Sequence, residues 1–273
     1  MKDVYVTCCF AEGKDKVSRK ANYWLLTRTC IASLLHTGFP SEKVICVCEN
    51  KQHARHLSEQ FGIQGIHGPS IPDKYSDSIS LDRGRKLFFY KPISYYRVVK
   101  DMLPTKNANI CMTDVDAIFV RNPDESADKY GVWAQRRWAY LRSSRARTMQ
   151  HRHKIPKLDH RPSLEGYFGS KVQADLFLRY RMDSLPHARI ISDYVLFPAE
   201  QYAQIIDTWM DMSNYILTKK KSICKGDQEI LSSALDYNGI VFKTELDFRY
   251  TKQYGCVGNK KSMHKHAKNY GLE

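Results

Sequence analysis

The chain has 273 residues, of which 42% are hydrophobic and 12% aromatic, and its formal net charge is +14 at pH 7. This composition excludes a disordered chain, and the length suits one large domain or two small ones with a substantial core. The excess of positive charge favours a polyanion, a phosphorylated ligand or an anionic membrane surface as partner, and it does not choose among these three.

The opening of the chain alternates between strand and helix patterns. Ser18 is a plausible N-cap and Gly38 a plausible C-cap for the first helix. A β-α-β-α order predicts a parallel sheet covered by helices. The predicted elements are strand 3–10, helix 18–38, strand 43–50 and helix 51–61.

The pattern becomes less regular in the second half, where no repeat or low-complexity linker is visible. We therefore expect a single α/β domain with an irregular second half. The later predicted elements are a loop at 65–84, a helix at 91–103 with Pro92 at its first position, a strand at 108–120, a strand at 188–198, helices at 199–217 and 226–237, and a basic, loop-like tail at 247–273.

Cysteine usage and the N-terminus bear on the cellular compartment. The eight cysteines form no CxxC pair and no clustered Cys/His zinc spacing. We interpret them as small buried hydrophobic residues, which fits a reducing compartment. The N-terminus "MKDVYVTCCF" lacks the features of a signal peptide, and no apolar run approaches the roughly 20 residues of a membrane span. We expect a soluble, cytoplasmic protein whose basic surface can contact a membrane peripherally.

Two aspartates lie within the apolar run "NICMTDVDAIFV". Asp114 and Asp116 would share one face of an extended chain, with Val115 on the other. They follow a predicted buried strand, and ligands of open α/β sheets bind beyond the carboxyl ends of strands. Two convergent carboxylates suit a hard cation, Mg²⁺ or Mn²⁺, whose charge would compensate theirs. The alternative is a strand end with solvated carboxylates.

The β-α-β-α opening, the run "RGRKLFFYKP" and the run "NICMTDVDAIFVRNP" together resemble the glycosyltransferases of the GT-A fold. "ISDYVLFP" at 191–198 stands at the place of the acceptor-side strand. "GDQEILSSAL" at 226–235 is similar to the "DQ" helix of glycogenin-like transferases. The His/Lys-rich tail at 258–271 stands where that group carries a metal-binding histidine and phosphate-binding cations.

The resemblance implies a GT-A fold with a Rossmann-like, mostly parallel central sheet flanked by helices. It implies one glycosyltransferase domain over 1–273, divided into a nucleotide-sugar-binding half at 1–123 and an acceptor-binding half with the basic tail at 124–273. The Asp114-Val115-Asp116 motif would bind Mn²⁺ or Mg²⁺ together with the diphosphate of a nucleotide sugar, for which UDP is the expected nucleotide.

Further site residues follow from this expectation. Basic residues should meet the diphosphate, a neutral imidazole would suit Mn²⁺, and an inverting reaction would need a carboxylate base. Asp227 has an alternative role as an N-cap. The candidate metal ligands are Asp114, Asp116 and either His264 or His266. The candidate donor-binding residues are Thr7, Arg83, Arg85, Lys86, Asp114, Asp116, Gln228, Lys260 and Lys261, and the candidate bases are Asp193 and Asp227.

The segment 136–161 holds nine Lys/Arg residues and one acid, Asp159, with Trp138 and Tyr140 among the cations. It suits an acceptor-binding insertion, because aromatic rings stack on sugars and arginines hold anionic groups. A nucleic-acid surface and a mobile basic loop are the alternatives.

The sequence thus favours a metal-dependent glycosyltransferase that moves a sugar from a nucleotide-sugar donor to a glycan or glycoconjugate acceptor, with no stable nucleic-acid partner. One alternative is a basic nucleic-acid-binding protein. Another is a metal-dependent nucleotidyltransferase or nuclease, which would also use paired aspartates. The sequence lacks the second acidic cluster that a two-metal nuclease site requires.

Overall fold

The computed structural model describes residues 3–11, 22–68, 91, 100–103, 107–127, 131–136, 159, 162, 164–165, 170–182, 190–218, 228–243, 251–253 and 260–272, of which 133–136, 190–193, 251–253 and 260–264 by their backbone alone. The elements are β1 (Asp3–Phe10), α1 (Tyr23–His36), β2 (Val44–Cys48), α2 (Lys51–Phe61), β3 (Gln64–His67), β4 (Ala108–Thr113), β5 (Ala117–Phe119), β6 (Trp133–Arg136), α3 (Lys171–Arg179), β7 (Ile190–Pro198), α4 (Ala199–Leu217), α5 (Gln228–Tyr237), β8 (Thr251–Gln253) and α6 (Lys260–Asn269). No described helix is long and apolar enough to cross a membrane.

A mixed sheet of six strands in the order β3-β2-β1-β4-β7-β6 forms the centre of the fold. Strands β3, β2, β1 and β4 are parallel, β7 is antiparallel to β4, and β6 is antiparallel to β7. The predicted α/β class with a mostly parallel sheet is confirmed. Because β1 lies between β2 and β4, the strand order reverses there, and the carboxyl ends of β1 and β4 flank the switch point at which such sheets bind ligands.

Each face of the sheet carries its own core, as side-chain alternation along the strands requires. Cys8 of β1 packs with α1 and α2 on one face, and its neighbour Cys9 packs with α4 and α5 on the other. Trp209 of α4 is among the largest fully buried side chains of the second core. β6 and β7 come from the second half of the chain and extend the sheet of the first half.

The six cysteines in the described part of the chain are free and buried, which confirms the prediction of small hydrophobic residues. They are Cys8, Cys9, Cys30, Cys46, Cys48 and Cys111. The Sγ atoms of Cys46 and Cys48 lie 3.9 Å apart. A hydrogen bond with Cys48 and burial raise the pKa of the Cys46 thiol, and burial raises the pKa of Cys111. The thiols of Cys46 and Cys111 therefore stay protonated at neutral pH.

We expect these six thiols to resist alkylation in the folded protein, because all six are buried and the reagent cannot reach them. Labelling at pH 7.5, with each site quantified by mass spectrometry, should be about 100-fold or more slower before unfolding than in guanidinium. Fast labelling of Cys46 or Cys48 in the native protein would contradict the burial described here.

The first two helices begin and end at residues with specific capping geometry. Asn22, in a left-handed conformation, caps α1 by accepting a hydrogen bond from the Leu25 N–H at 3.2 Å. The predicted start near Ser18 lies outside the described residues. Gly38, the predicted C-cap, follows the cap residue Thr37 and has φ +82°. The second helix ends as predicted, at a left-handed Gly62.

The predicted loop at 65–84 is wrong at its start, because β3 continues to His67 as the edge strand. Gly65 lies within this strand, where it allows close packing against α2. A Cβ atom at this position would lie 2.1 Å from the Ala54 carbonyl oxygen and 2.7 Å from Ser58 Oγ. The glycine that suggested a loop therefore marks a close approach between strand and helix.

Gly65→Ala should lower the free energy of unfolding by about 2–4 kcal/mol, because a backbone carbonyl cannot move away without shifting α2. Gly239→Ala is the matched control, since a Cβ there meets nothing within 4 Å and only the positive φ of +65° opposes it. The control should cost about 1 kcal/mol. Urea denaturation of both variants measures the difference, and equal costs would refute the packing argument.

The predicted loop-like tail is also wrong over part of its length. β8 pairs with β5 in a small antiparallel sheet, and α6 packs against α1. Ala267 and Leu272, with 0% and 9% exposure, form a small apolar cluster with Leu25 of α1. The segment is rich in lysine and histidine, and its two apolar contact residues, Ala267 and Leu272, give no clear periodic signal. These two residues pack α6 against α1.

Candidate functional site

The paired aspartates lie in a tight turn at the carboxyl end of β4. The Ala117 N–H donates a hydrogen bond to the Asp114 carbonyl at 3.2 Å, which closes the turn, and β5 then starts a different sheet. The predicted continuous strand over 108–120 is therefore wrong. After the turn β5 packs on α1, where the Ser33 hydroxyl accepts from the Phe119 N–H at 3.0 Å.

Several contacts hold this acidic turn, which we define as Asp114–Asp116, in one conformation. Besides Ala117, the Thr113 hydroxyl donates to the Asp114 carbonyl at 3.3 Å, and the Cys30 thiol of α1 does so at 3.7 Å. Val115 is buried in the core beneath α1 and α2. The backbone of the acidic turn is thus held to α1 through Cys30 and to the core through Val115, which restricts its rearrangement when a ligand binds.

Charge compensation within the acidic turn comes from a lysine. The Lys91 Nζ forms a short ion pair with Asp114 Oδ1, and the side chains are only 13% and 15% exposed. Asp116 is more buried, at 8% exposure. The pKa of the nearby Cys30 thiol is raised, first by burial and then by its electrostatic interactions with Cys8, Asp116 and Asp114. The site therefore concentrates negative charge in a poorly solvated place, where a cation is strongly favoured.

Lys91 was not among the residues that the sequence assigned to the site. The sequence placed Lys91 only as the residue before Pro92 at the start of a helix, and it assigned the diphosphate to the more clustered cations upstream. A lysine next to a proline, 23 positions before the aspartate, offers no spacing signal. The contact between Lys91 and Asp114, which are 23 positions apart, is set by the fold and not by the local sequence.

Two further segments reach the acidic turn by strand register. Tyr194 of β7 pairs with Thr113, so the backbone of Asp193 lies one position further, beside the start of the acidic turn. Gln253, at the end of β8, pairs with Ala117, directly after Asp116. The structure thus brings the backbone of the candidate base Asp193, and the start of the tail, to the same edge of the sheet.

The other described candidates occupy varied positions. Thr7 is fully buried in β1, and its hydroxyl donates a hydrogen bond to the Cys111 carbonyl at 3.3 Å. This hydroxyl therefore links β1 to β4 within the sheet. Gln228 is the partly exposed first residue of α5. His266 is partly buried in the last turn of α6. His264 lies two residues earlier on the same helix, and its side chain is outside the described part.

Lys260 and Lys261 form the first turn of α6, and their side chains are outside the described part. Several other candidates lie wholly outside the described residues, and their roles stay predictions. They are Arg83, Arg85, Lys86, Asp227 and the arginine-rich segment, apart from the backbone of Arg136 and the position of Asp159.

The donor set of the acidic turn fits a divalent cation. Among the described side chains, no three His, Cys, Asp or Glu residues form a group that could enclose a metal ion. Two carboxylates suffice for Mg²⁺ or Mn²⁺ in sites where phosphate oxygens and waters complete the shell. The acidic turn therefore suits a cation that is shared with an anionic ligand better than one bound by protein alone.

Comparison with known proteins supports the fold. No protein-family model matches this chain, and no curated protein matches it. Among solved structures, an active-site mutant of LgtC shares 7% identity over 97% of this chain and 95% of its own, with a TM-score of 0.52. Mouse xyloside xylosyltransferase 1 shares 12% identity over 99% of this chain and 93% of its own, with a TM-score of 0.44. The bifunctional glycosyltransferase WbbM shares 13% identity over 89% of this chain, which spans only 39% of WbbM, with a TM-score of 0.47.

The fold is a GT-A-type α/β fold, as the resemblance in the sequence implied. The similarity to LgtC covers nearly the whole of both chains. At this level of identity the similarity concerns the fold alone, and the chemistry of this chain has to be argued from its site.

Proposed function

We propose that this protein is a metal-dependent glycosyltransferase that moves a sugar from a nucleotide-sugar donor, expected to be a UDP-sugar, to a hydroxyl of a glycan or glycoconjugate acceptor. One observation carries the proposal: in a GT-A-type sheet, a rigid turn with two poorly exposed carboxylates lies at the carboxyl end of β4, beside the switch point. A sheet edge of this kind is where phosphorylated ligands bind in related architectures.

Asp114 and Asp116 would hold Mn²⁺ or Mg²⁺, which supplies charge to neutralise the departing diphosphate when it is bound. The anchored backbone of the acidic turn would keep both carboxylates in place during the reaction. The position of Asp193 supports its role as the base that takes the proton from the acceptor hydroxyl in an inverting reaction, because its backbone lies beside Asp114. Asp227 stays the second candidate base.

Calorimetric titration with UDP in the presence of Mn²⁺, in its absence, and with a single-stranded oligonucleotide tests the proposal. We expect micromolar UDP affinity that needs the metal, together with weak oligonucleotide binding that is lost in about 0.3 M salt. Slow Mn²⁺-dependent hydrolysis across a panel of sugar nucleotides would then identify the donor. Tight oligonucleotide binding, with no UDP binding and no hydrolysis, would instead support the nucleic-acid-binding alternative.

A further inference from the structure

Lys91 makes the most informative contact that the proposed reaction does not use. Its ammonium is paired with Asp114 Oδ1, one of the oxygens that the proposed function assigns to a divalent cation. Two positive groups cannot share one carboxylate oxygen in a poorly solvated site without strong repulsion. A cation that binds Asp114 therefore competes with the Lys91 ammonium for this carboxylate.

The structure indicates which partner moves. The backbone of Asp114 is held in place, since its carbonyl accepts hydrogen bonds from Thr113, Ala117 and Cys30, and its side chain is short. Lys91 contributes a flexible four-carbon stem and a compact charge that can be redirected at low cost. Because the ammonium is only slightly exposed, an anion that comes within reach favours its release from Asp114.

We propose that Lys91 acts as a displaceable counter-ion that couples metal binding to donor binding. Without the donor, Lys91 competes with the divalent cation for Asp114. When the donor binds, its diphosphate takes the Lys91 ammonium and leaves Asp114 to the cation. The metal and the nucleotide then bind cooperatively, and each strengthens the other by the same factor. This inference rests on the proposed function, because it takes the anionic ligand to be a diphosphate.

The test compares Mn²⁺ affinity in the wild type, Lys91→Met and Lys91→Arg, measured from the spin-resonance signal of free Mn²⁺ with and without saturating UDP. Lys91→Met should bind Mn²⁺ alone about 10-fold more tightly than the wild type, and UDP should improve its Mn²⁺ affinity about 10-fold less. Lys91→Arg keeps the positive charge and should stay close to the wild type in both measurements.

Lys43→Met is the matched control, because Lys43 forms a 2.9 Å ion pair with Asp3 at the opposite, amino end of β1. It removes the same charge and should leave both Mn²⁺ affinities unchanged. A second readout needs no variant: the acylation rate of Lys91 in the wild type, followed by mass spectrometry. Mn²⁺ alone should raise this rate, and Mn²⁺ with UDP should lower it below that of the free protein.

Two outcomes would overturn the inference. One is an unchanged Mn²⁺ affinity in Lys91→Met with an unchanged effect of UDP. The other is a Lys91 acylation rate that does not respond to Mn²⁺. If UDP still binds in a metal-dependent manner in either case, the proposed function survives and only the role of Lys91 is refuted. If UDP binds none of the proteins, the proposed function and the coupling both fail, and the Mn²⁺-alone comparison still decides whether Lys91 and the cation compete.

Discussion

Asp116→Asn should abolish metal-dependent UDP binding, with an expected loss of at least about 100-fold in affinity, while the protein stays folded. The amide keeps the size of the carboxylate and part of its hydrogen-bonding capacity, and removes the charge that a cation needs. Because Asp116 is only 8% exposed, solvent cannot replace that charge at the site. Calorimetry with UDP and Mn²⁺ measures the loss of affinity, and a thermal melt shows whether the variant stays folded.

Asp114→Asn should produce the same loss of binding together with a loss of stability. Its partner Lys91 is nearly buried, and the substitution removes the charge that Asp114 offers this ammonium, at a cost of about 1–3 kcal/mol. Paired carboxylates considered alone would suggest the opposite, a gain from relieved repulsion. The ion pair with Lys91 reverses that expectation for Asp114.

Asp3→Asn is the control for both variants, since Asp3 also pairs with a lysine but lies at the other end of the sheet. It should leave UDP binding unchanged. Normal metal-dependent UDP binding in both site variants would refute the assignment of the acidic turn.

The sequence predicted most accurately those elements whose signals are local. Strand β1 was predicted at its observed bounds, and helix α2 was predicted over 51–61 with its end at Gly62, as observed. The long helix α4 was predicted at its observed bounds as well. In these segments, capping residues and periodicity act within a few positions, so tertiary structure had little to override.

Errors arose where tertiary contacts override the local pattern. The apolar run "NICMTDVDAIFV" favours one strand, yet the docking of β5 on Ser33 of α1 breaks it into a strand, a turn and a second strand. Gly65 suggested a loop because its close contact with α2 is not visible in the sequence. The pairing of Lys91 with Asp114 depends in the same way on a contact between residues that are 23 positions apart.

The candidate site was predicted in part. Asp114 and Asp116 could be selected because two charges in an apolar run need compensation, which is a local argument. The position of Asp193 could be guessed from its own apolar strand, and the register with β4 now brings its backbone to the same edge. Mn²⁺ or Mg²⁺ as cofactor, UDP as nucleotide and a cytoplasmic location stay predictions.

Removal of residues 260–273 should destabilise the protein by about 3 kcal/mol, because α6 is a packed helix. Its loss would expose Leu25 and remove the buried Ala267 and Leu272, as well as the edge contact between the Tyr270 and His36 rings at 5.5 Å. The sequence alone suggested a flexible anion-binding lid, whose removal would weaken diphosphate binding more than stability. A truncation therefore mixes two effects, and point variants have to separate them.

Leu272→Ala should lower the free energy of unfolding by about 1–2 kcal/mol and leave UDP affinity unchanged, since it removes apolar contact and no charge. The double variant Lys260→Ala, Lys261→Ala should show the reverse pattern. Its melting midpoint should stay within about 2 °C of the wild type, while Mn²⁺-dependent UDP affinity falls about 10-fold, because two cations in the first turn of α6 no longer attract the diphosphate. Unchanged UDP affinity in the double variant would leave α6 with a structural role alone, and the donor's phosphates would then depend on Lys91 and on cations elsewhere in the chain.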